Sequence, residues 1–229
     1  MGIMSLFENA ARNTKAGAKK TKLKANNAVL ERRIQKRKKQ FGEEAYDAIS
    51  FLTYRQDFYA TNQAWIVTLR PPLITVDREV RALNNKKVKA EEHIKIVELR
   101  RESERELIRQ NPPANFRERL GNLSKKSQLA GHHAKYNANR GSANIQIRAA
   151  KEKFGIDVFP LLSVLFTENN PTEENEDDRE RMSWLPDDDP THPNILKKNL
   201  KSLYEGCASD IATLNREIVA NKQEMDAMS

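Results

Sequence analysis

Laying the 229-residue chain over itself with an offset of 113 residues brings like residues onto like. Lys22, Ala25 and Asn26 fall on Lys135, Ala138 and Asn139, Ile34 falls on Ile147, and Lys38 on Lys151. The run Phe41-Gly42-Glu43-Glu44-Ala45-Tyr46 falls on Phe154-Gly155-Ile156-Asp157-Val158-Phe159, and Ser50 and Leu52 fall on Ser163 and Leu165. Internal repetition limits a fold more than local propensity does, because each copy must find its packing partner in the same way. Both copies keep one apolar register. The first reads Leu23, Asn27, Leu30, Ile34, Arg37, Phe41, Ala45, Ala48, Leu52, and the second Tyr136, Arg140, Ala143, Ile147, Ala150, Phe154, Val158, Leu161, Leu165. Spacings of four and three mark a helical stripe that faces another helix.

Each copy precedes a second helical pattern. Seven aromatic residues crowd positions 41–65, and Pro71-Pro72 then predict a break. A return helix is expected from about Thr75 to Gln110, with Val76, Val80, Leu83, Ala90, Ile94 and Val97 on its stripe. After the second copy, an acidic, proline-bearing stretch leads into a last helix carrying Leu196, Leu200, Leu203, Cys207, Ile211, Leu214 and Ile218. The expected fold is all-α. It is two tandem helical hairpins from an internal duplication, in an antiparallel coiled-coil or four-helix arrangement, with a basic N-terminal arm. The expected boundaries are an arm over 1–21, a first hairpin over 22–110, a linker over 111–132 and a second hairpin over 133–229, with an acidic linker at 168–193. Phe41, Gly42, Phe154, Gly155, Leu203, Cys207, Ile211 and Leu214 are the expected helix-packing positions. The two glycines imply either a close helix approach or a helix break, since each costs about 1 kcal/mol relative to Ala in a helix interior.

Composition agrees with long, thin helices. Only 38% of residues are hydrophobic and 31% are charged, and eight Gly and nine Pro are few for a turn-rich β protein. A lone two-helix hairpin rarely buries enough surface to offset backbone ordering, so intramolecular pairing, self-association or protein partners are expected. The longest apolar run, Val158 to Phe166, is interrupted by Pro160 and Ser163 and is far short of the ~20 residues of a spanning helix. The N-terminus lacks the pattern of a secretory signal. One cysteine allows no intramolecular disulfide and suits a reducing compartment. An intracellular, chiefly cytoplasmic location is expected, with nucleus and organelle left open.

Catalytic chemistry is not expected. His93, His132, His133 and His192 have no second ligand at metal spacing, and no Walker or Rossmann glycine pattern occurs. The adjacent Glu43 and Glu44 point about 100° apart on a helix. Cys207, lying on an apolar stripe, reads as core packing. No enzyme activity, cofactor, metal or small-molecule substrate is anticipated.

The net charge of +8 is a sum of opposed blocks. Residues 1–40 hold twelve Lys/Arg and two acids, a net of +10, whereas 161–190 hold two bases and ten acids, a net of −8. Ile3, Leu6 and Phe7 share one helical face ahead of Lys15, Lys19, Lys20, Lys22 and Lys24, a wedge-and-cation pattern suited to an anionic membrane surface. Arg32, Arg33, Lys36, Arg37, Lys38 and Lys39 extend it. The sequence therefore points to a non-enzymatic coiled-coil scaffold or adaptor, peripheral on anionic membranes. The alternative is a nucleic-acid-binding or ribonucleoprotein accessory factor using the basic helix 12–39, whose cations also suit phosphates.

Overall fold

The computed structural model describes residues 3–55, 58, 63–167 and 192–228, with side chains from Lys15 onward. Four α-helices account for nearly all of them: α1 (Ile3–Ile49), α2 (Ala64–Gln110), α3 (Phe116–Thr167) and α4 (Pro193–Ala227). A 3-10 segment, Ser50–Tyr54, follows α1 and ends at Arg55, whose extended backbone donates its N–H to the Leu52 carbonyl at 3.0 Å. No strand occurs among the described residues. The fold is all-α.

The chain divides into two compact units, Met1–Leu73 with Glu152–Ser229, and Ile74–Lys151. This partition differs from consecutive hairpins at 22–110 and 133–229. In the first unit α1 packs along α4. Lys19 meets Glu224, Asn27 meets Asn221 and Arg37 meets Asp210, so the helices run antiparallel. In the second unit α2 pairs with α3, with His93 stacked on Tyr136 and Glu98 beside His133. The cause is the short turn at 111–115, which makes α2 and α3 antiparallel neighbours.

The expected linker over 111–132 shrinks to that turn because α3 starts at Phe116 with a capping-box-like set of bonds between Asn115 and Glu118. Asn115 Oδ1 accepts from the Glu118 N–H, and the Glu118 carboxylate accepts from the Ala114 N–H and the Asn115 amide, each at 2.9 Å. The Pro71-Pro72 break is also absent: both prolines lie inside α2. Each removes an intrahelical bond at about 3 kcal/mol. Trp65, Ile66, Leu69 and Leu73 on the same stretch are all under 5% exposed. Burying four such side chains at about 1.5–3 kcal/mol each outweighs two prolines. The doublet does sit beside the boundary between the two units. The acidic segment at 168–191 lies outside the described residues.

The core of the first unit is built on i, i+4 ridges. Phe41, Ala45 and Ile49 of α1 are buried, as are Phe154, Val158 and Leu162 of α3. The expected stripe ran through Ala48 and Leu161; Ala48 is half-buried and Leu161 is 37% exposed. On both helices the buried row therefore runs one place beyond the expected one, in a four-residue ridge, the geometry of helices that cross ridge into groove. At the crossing α1 and α3 touch through backbone. A Cβ on Gly155 would come within 3.0 Å of the Gly42 backbone and of the Lys38 carbonyl, so neither helix breaks there.

The 113-residue offset reappears in this packing. Phe41 meets Phe159 edge-to-face with centroids 5.7 Å apart, and Tyr46 meets Phe154 in the same way at 6.2 Å. Under the offset these two contacts exchange. Gly42–Gly155 and the Lys39–Glu152 ion pair at 3.0 Å each join equivalent positions, as contacts on a local two-fold axis must.

Gly155→Ala is expected to destabilise the protein by about 1–3 kcal/mol through overpacking against backbone that has no side chain to move. Gly206, exposed on α4 with open space at its Cβ position, is the control. Gly206→Ala should stabilise by about 0.5–1 kcal/mol. Urea unfolding followed by circular dichroism reads both. If Gly155→Ala stabilised as much as Gly206→Ala, the close contact of Gly155 with Gly42 would be refuted.

Candidate functional site

α1 has two sides, and its cations divide between them. Leu30, Ile34 and Phe41 mark the side facing the core. Arg37 lies at its margin and is half-buried. Its Nε donates to Asp210 Oδ2 at 2.8 Å and a terminal nitrogen lies 3.4 Å from Glu44 Oε2. Burial acts to lower the guanidinium pKa, but the bond to Asp210 and the neighbouring Cys207 and Glu44 outweigh it and raise the value. Lys38 extends over the Phe159 ring, its Nζ 5.3 Å from the centroid. Lys39 pairs with Glu152 and Lys19 with Glu224. These four expected anion contacts are used within the fold.

Lys15, Lys22, Lys24, Arg32, Arg33 and Lys36 differ. All are exposed, and they make no ion pair among the described residues. At 100° per residue, Arg32 and Lys36 fall on the side opposite Leu30 and Ile34, and Lys22 and Arg33 lie on its flank. Val29, 44% exposed, lies among them. A shallow surface recess beside Lys19, Lys22, Leu23, Ala25, Asn26 and Val29 adds apolar lining to this cationic side. Lys20 is half-buried at its edge. Ile3, Leu6 and Phe7 belong to the first turns of α1, and their side chains lie outside the described residues.

The remaining candidate groups have packing partners. Phe41, Gly42, Phe154, Gly155, Cys207 and Ile211 are buried, and Leu203 and Leu214 are half-buried. Tyr204, not singled out in the sequence, is buried between Phe159 and Phe166, with ring centroids 5.1 and 5.7 Å away. Its signal was its spacing, four residues after Leu200 and three before Cys207, which places it on the buried stripe and the half-buried Leu203 at the margin. His132 stacks at 6.4 Å from Tyr136. His133 Nδ1 lies 3.1 Å from the Asn137 amide, so the His132-His133 pair belongs to a packed helix and not to a linker. His192 caps α4, its Nδ1 accepting from the Asn194 N–H at 3.2 Å. Among the described residues no group of three or more His, Cys, Asp or Glu is arranged to hold a metal ion. No described helix is long and apolar enough to cross a membrane.

No family model, curated protein or solved structure matches the chain. What the exposed side of α1 offers is then a matter of charge and shape. It is a set of cations spread over the outer side and flanks of one helix, with Val29 among them and a shallow recess beside it.

Cys207 marks the opposite extreme of the same helix pair. Its Sγ lies 3.9 Å from the Arg37 carbonyl, and burial pushes the thiol up to about 11, against the opposing pull of the Arg37 charge. The folded protein thus retains a proton that the unfolded chain loses near pH 9.0. Its contribution to stability is full below that value and is lost as pH rises from 9.0 to about 11. Iodoacetamide should therefore label Cys207 slowly in the native protein at neutral pH and rapidly in denaturant. Melting curves of wild type and Cys207→Ala should converge in their pH dependence below pH 9.0 and diverge above it, the wild type falling more steeply.

Proposed function

We propose that the protein is a non-enzymatic helical scaffold that lies peripherally on anionic membrane surfaces through the outer side of α1. The observation that carries this reading is the division of the α1 cations. Arg37, Lys38 and Lys39 are drawn into the packing, while Lys15, Lys22, Lys24, Arg32, Arg33 and Lys36 stay exposed without acidic partners among the described residues. Each such cation near an anionic leaflet is worth about 1 kcal/mol. Six of them on one continuous helix give reversible, salt-sensitive attachment. Within this reading the exchange of aromatic partners around Gly42 and Gly155 supports descent from a duplicated helical unit, with the two copies pairing across a local axis. The histidines support the non-enzymatic part: each has a stacking, hydrogen-bonding or capping use.

Nucleic acid is the other extended polyanion, and the same cations would serve it. Among the described residues the exposed row on α1 carries no aromatic side chain for base stacking, which favours a headgroup surface.

Flotation with phosphatidylcholine vesicles, with and without phosphatidylserine, tests the reading. The full chain is expected to float only with the anionic vesicles. The triple variant Arg32→Glu, Arg33→Glu, Lys36→Glu should lose at least about tenfold in partitioning, in keeping with about 1 kcal/mol per basic residue and the added repulsion. Failure to float, together with steeply salt-dependent binding of RNA or DNA, would replace membrane by nucleic acid.

A further inference from the structure

The α2–α3 pair ends in a segment built unlike the rest of the chain. From residue 98 to 142 no described side chain is buried. Four large apolar residues close to the turn are instead open to solvent: Leu107 at 56%, Phe116 at 79%, Leu120 at 58% and Leu123 at 67%. Leu107 lies in the last turn of α2, and Phe116 opens α3. Leu120 and Leu123 follow Phe116 at i+4 and i+7, so the three share one helical face. The capping-box-like bonds of Asn115 and Glu118 hold that first turn of α3 in place, so the face is preformed.

The charges around this end are predominantly positive. Residues 100–126 contain eight Lys/Arg and four acids. Glu118 is occupied as the cap, and Glu106 lies 3.3 Å from the Gln110 amide. Arg109 is exposed in the last turn of α2, and on α3 the exposed Arg117 lies to one side of the apolar face and Arg119 and Lys126 to the other. The i, i+4, i+7 spacing suits a partner groove as well as a plane, and the cations on both sides of it favour an anionic plane. A second copy of the chain would set one basic border against another. An anionic bilayer satisfies both features, since acyl chains take the apolar side chains and headgroups take the cations.

We infer that this end of the second unit is a membrane-inserting tip, with Phe116, Leu120 and Leu123 entering the acyl boundary of an anionic bilayer and Arg109, Arg117, Arg119 and Lys126 held at its phosphates. The inference rests on the membrane reading above and adds a second, apolar point of attachment to it. Attachment through α1 alone is electrostatic and fades with salt, while the tip supplies a part that salt does not screen.

Two measurements on the full chain test it, both with phosphatidylcholine–phosphatidylserine vesicles. The variant Phe116→Asp, Leu120→Asp, Leu123→Asp alters only exposed side chains. It is expected to keep the wild-type melting curve and to lose roughly a hundredfold in partitioning, mostly in the part that survives high salt. The single variant Phe116→Trp should show extra fluorescence, beyond wild type, that is quenched by brominated acyl chains. If the triple variant floats like wild type, or the added tryptophan is not quenched, the tip does not insert, and the α1 reading stands by itself. If wild type does not float, both readings fall. If lipid-free wild type is a dimer and the triple variant a monomer by sedimentation, a second copy covers this face and the inference is overturned. Should the triple variant misfold, the quenching of Phe116→Trp still decides.

Discussion

The contact of Gly42 with Gly155 sets the geometry of the first unit. Two helices whose backbones touch cannot carry side chains at the crossing, so their larger residues must pack just outside it. Phe41 and Tyr46 on one helix, and Phe154 and Phe159 on the other, occupy those outer places and reach across in exchanged pairs. Edge-to-face pairs of this kind add about 0.5–1.5 kcal/mol each beyond their buried area. The glycines themselves are unfavourable for helix formation, and the crossing offsets that cost only while both remain glycine. Phe159 then presents its ring to Tyr204, which joins α4 to the same aromatic cluster, while Phe41 and Cys207 are fully buried.

From that crossing α1 and α4 continue as an antiparallel pair held by a mixture of apolar and polar contacts. Leu30 and Ile34 of α1, with Ile211 and Ile218 of α4, are buried along it. Asn27 interrupts the apolar row, 7% exposed, and its Oδ1 accepts from the Asn221 amide at 2.7 Å. A paired asparagine in an apolar seam contributes less stability than two leucines, but its mismatch in any other register leaves a buried amide unsatisfied. The Arg37–Asp210 bond has the same directional character. Its carboxylate is 60% exposed, so screening leaves it a small energy and a larger role in alignment. Those polar contacts determine which side of α1 turns inward, and thereby which cations remain outside.

Much of this was legible in residue spacing, and the failures have separable causes. The α2 stripe from Val76 to Val97 is buried as its periodicity requires, and of the α4 stripe Leu196, Leu200, Cys207, Ile211 and Ile218 are buried while Leu203 and Leu214 are half-buried. Periodicity could not distinguish a heptad seam from a four-residue ridge over two turns, which is why Ala48 and Leu161 stood in for Ile49 and Leu162. Pro71-Pro72 read as a break because local rules omit the apolar burial of Trp65, Ile66, Leu69 and Leu73. The start of α3 was legible in Asn115-x-x-Glu118, a local signal outweighed by the surrounding prolines and glycine. Pairing partners were the least legible feature. α1 meets α4 across nearly the whole chain, and no stripe states which other stripe it faces. The candidate anion-binding side of α1 was half visible: a dense cationic run is plain in sequence, but only packing separates Arg37, Lys38 and Lys39 from Arg32, Arg33 and Lys36.

The two units also differ in what holds them. The first unit buries large side chains, with Phe41, Leu73, Val158, Leu162 and Leu200 all at 0% exposure. In the second, burial ends short of the turn: Val76, Val80, Leu83, Ala90, Ile94 and Val97 of α2 are buried, while beyond Val97, as far as residue 142, the residues are at most half-buried, among them Arg101, Glu104, Ile108, Asn122 and Leu129. A helix pair with so little buried area owes its order to capping, to the short turn and to continuity with helices anchored elsewhere. Such a segment opens at lower free energy than the aromatic core, and a surface that covers its apolar residues would stabilise it by mass action. Any burial of Leu107, Phe116, Leu120 and Leu123 would therefore add stability at this end of the molecule.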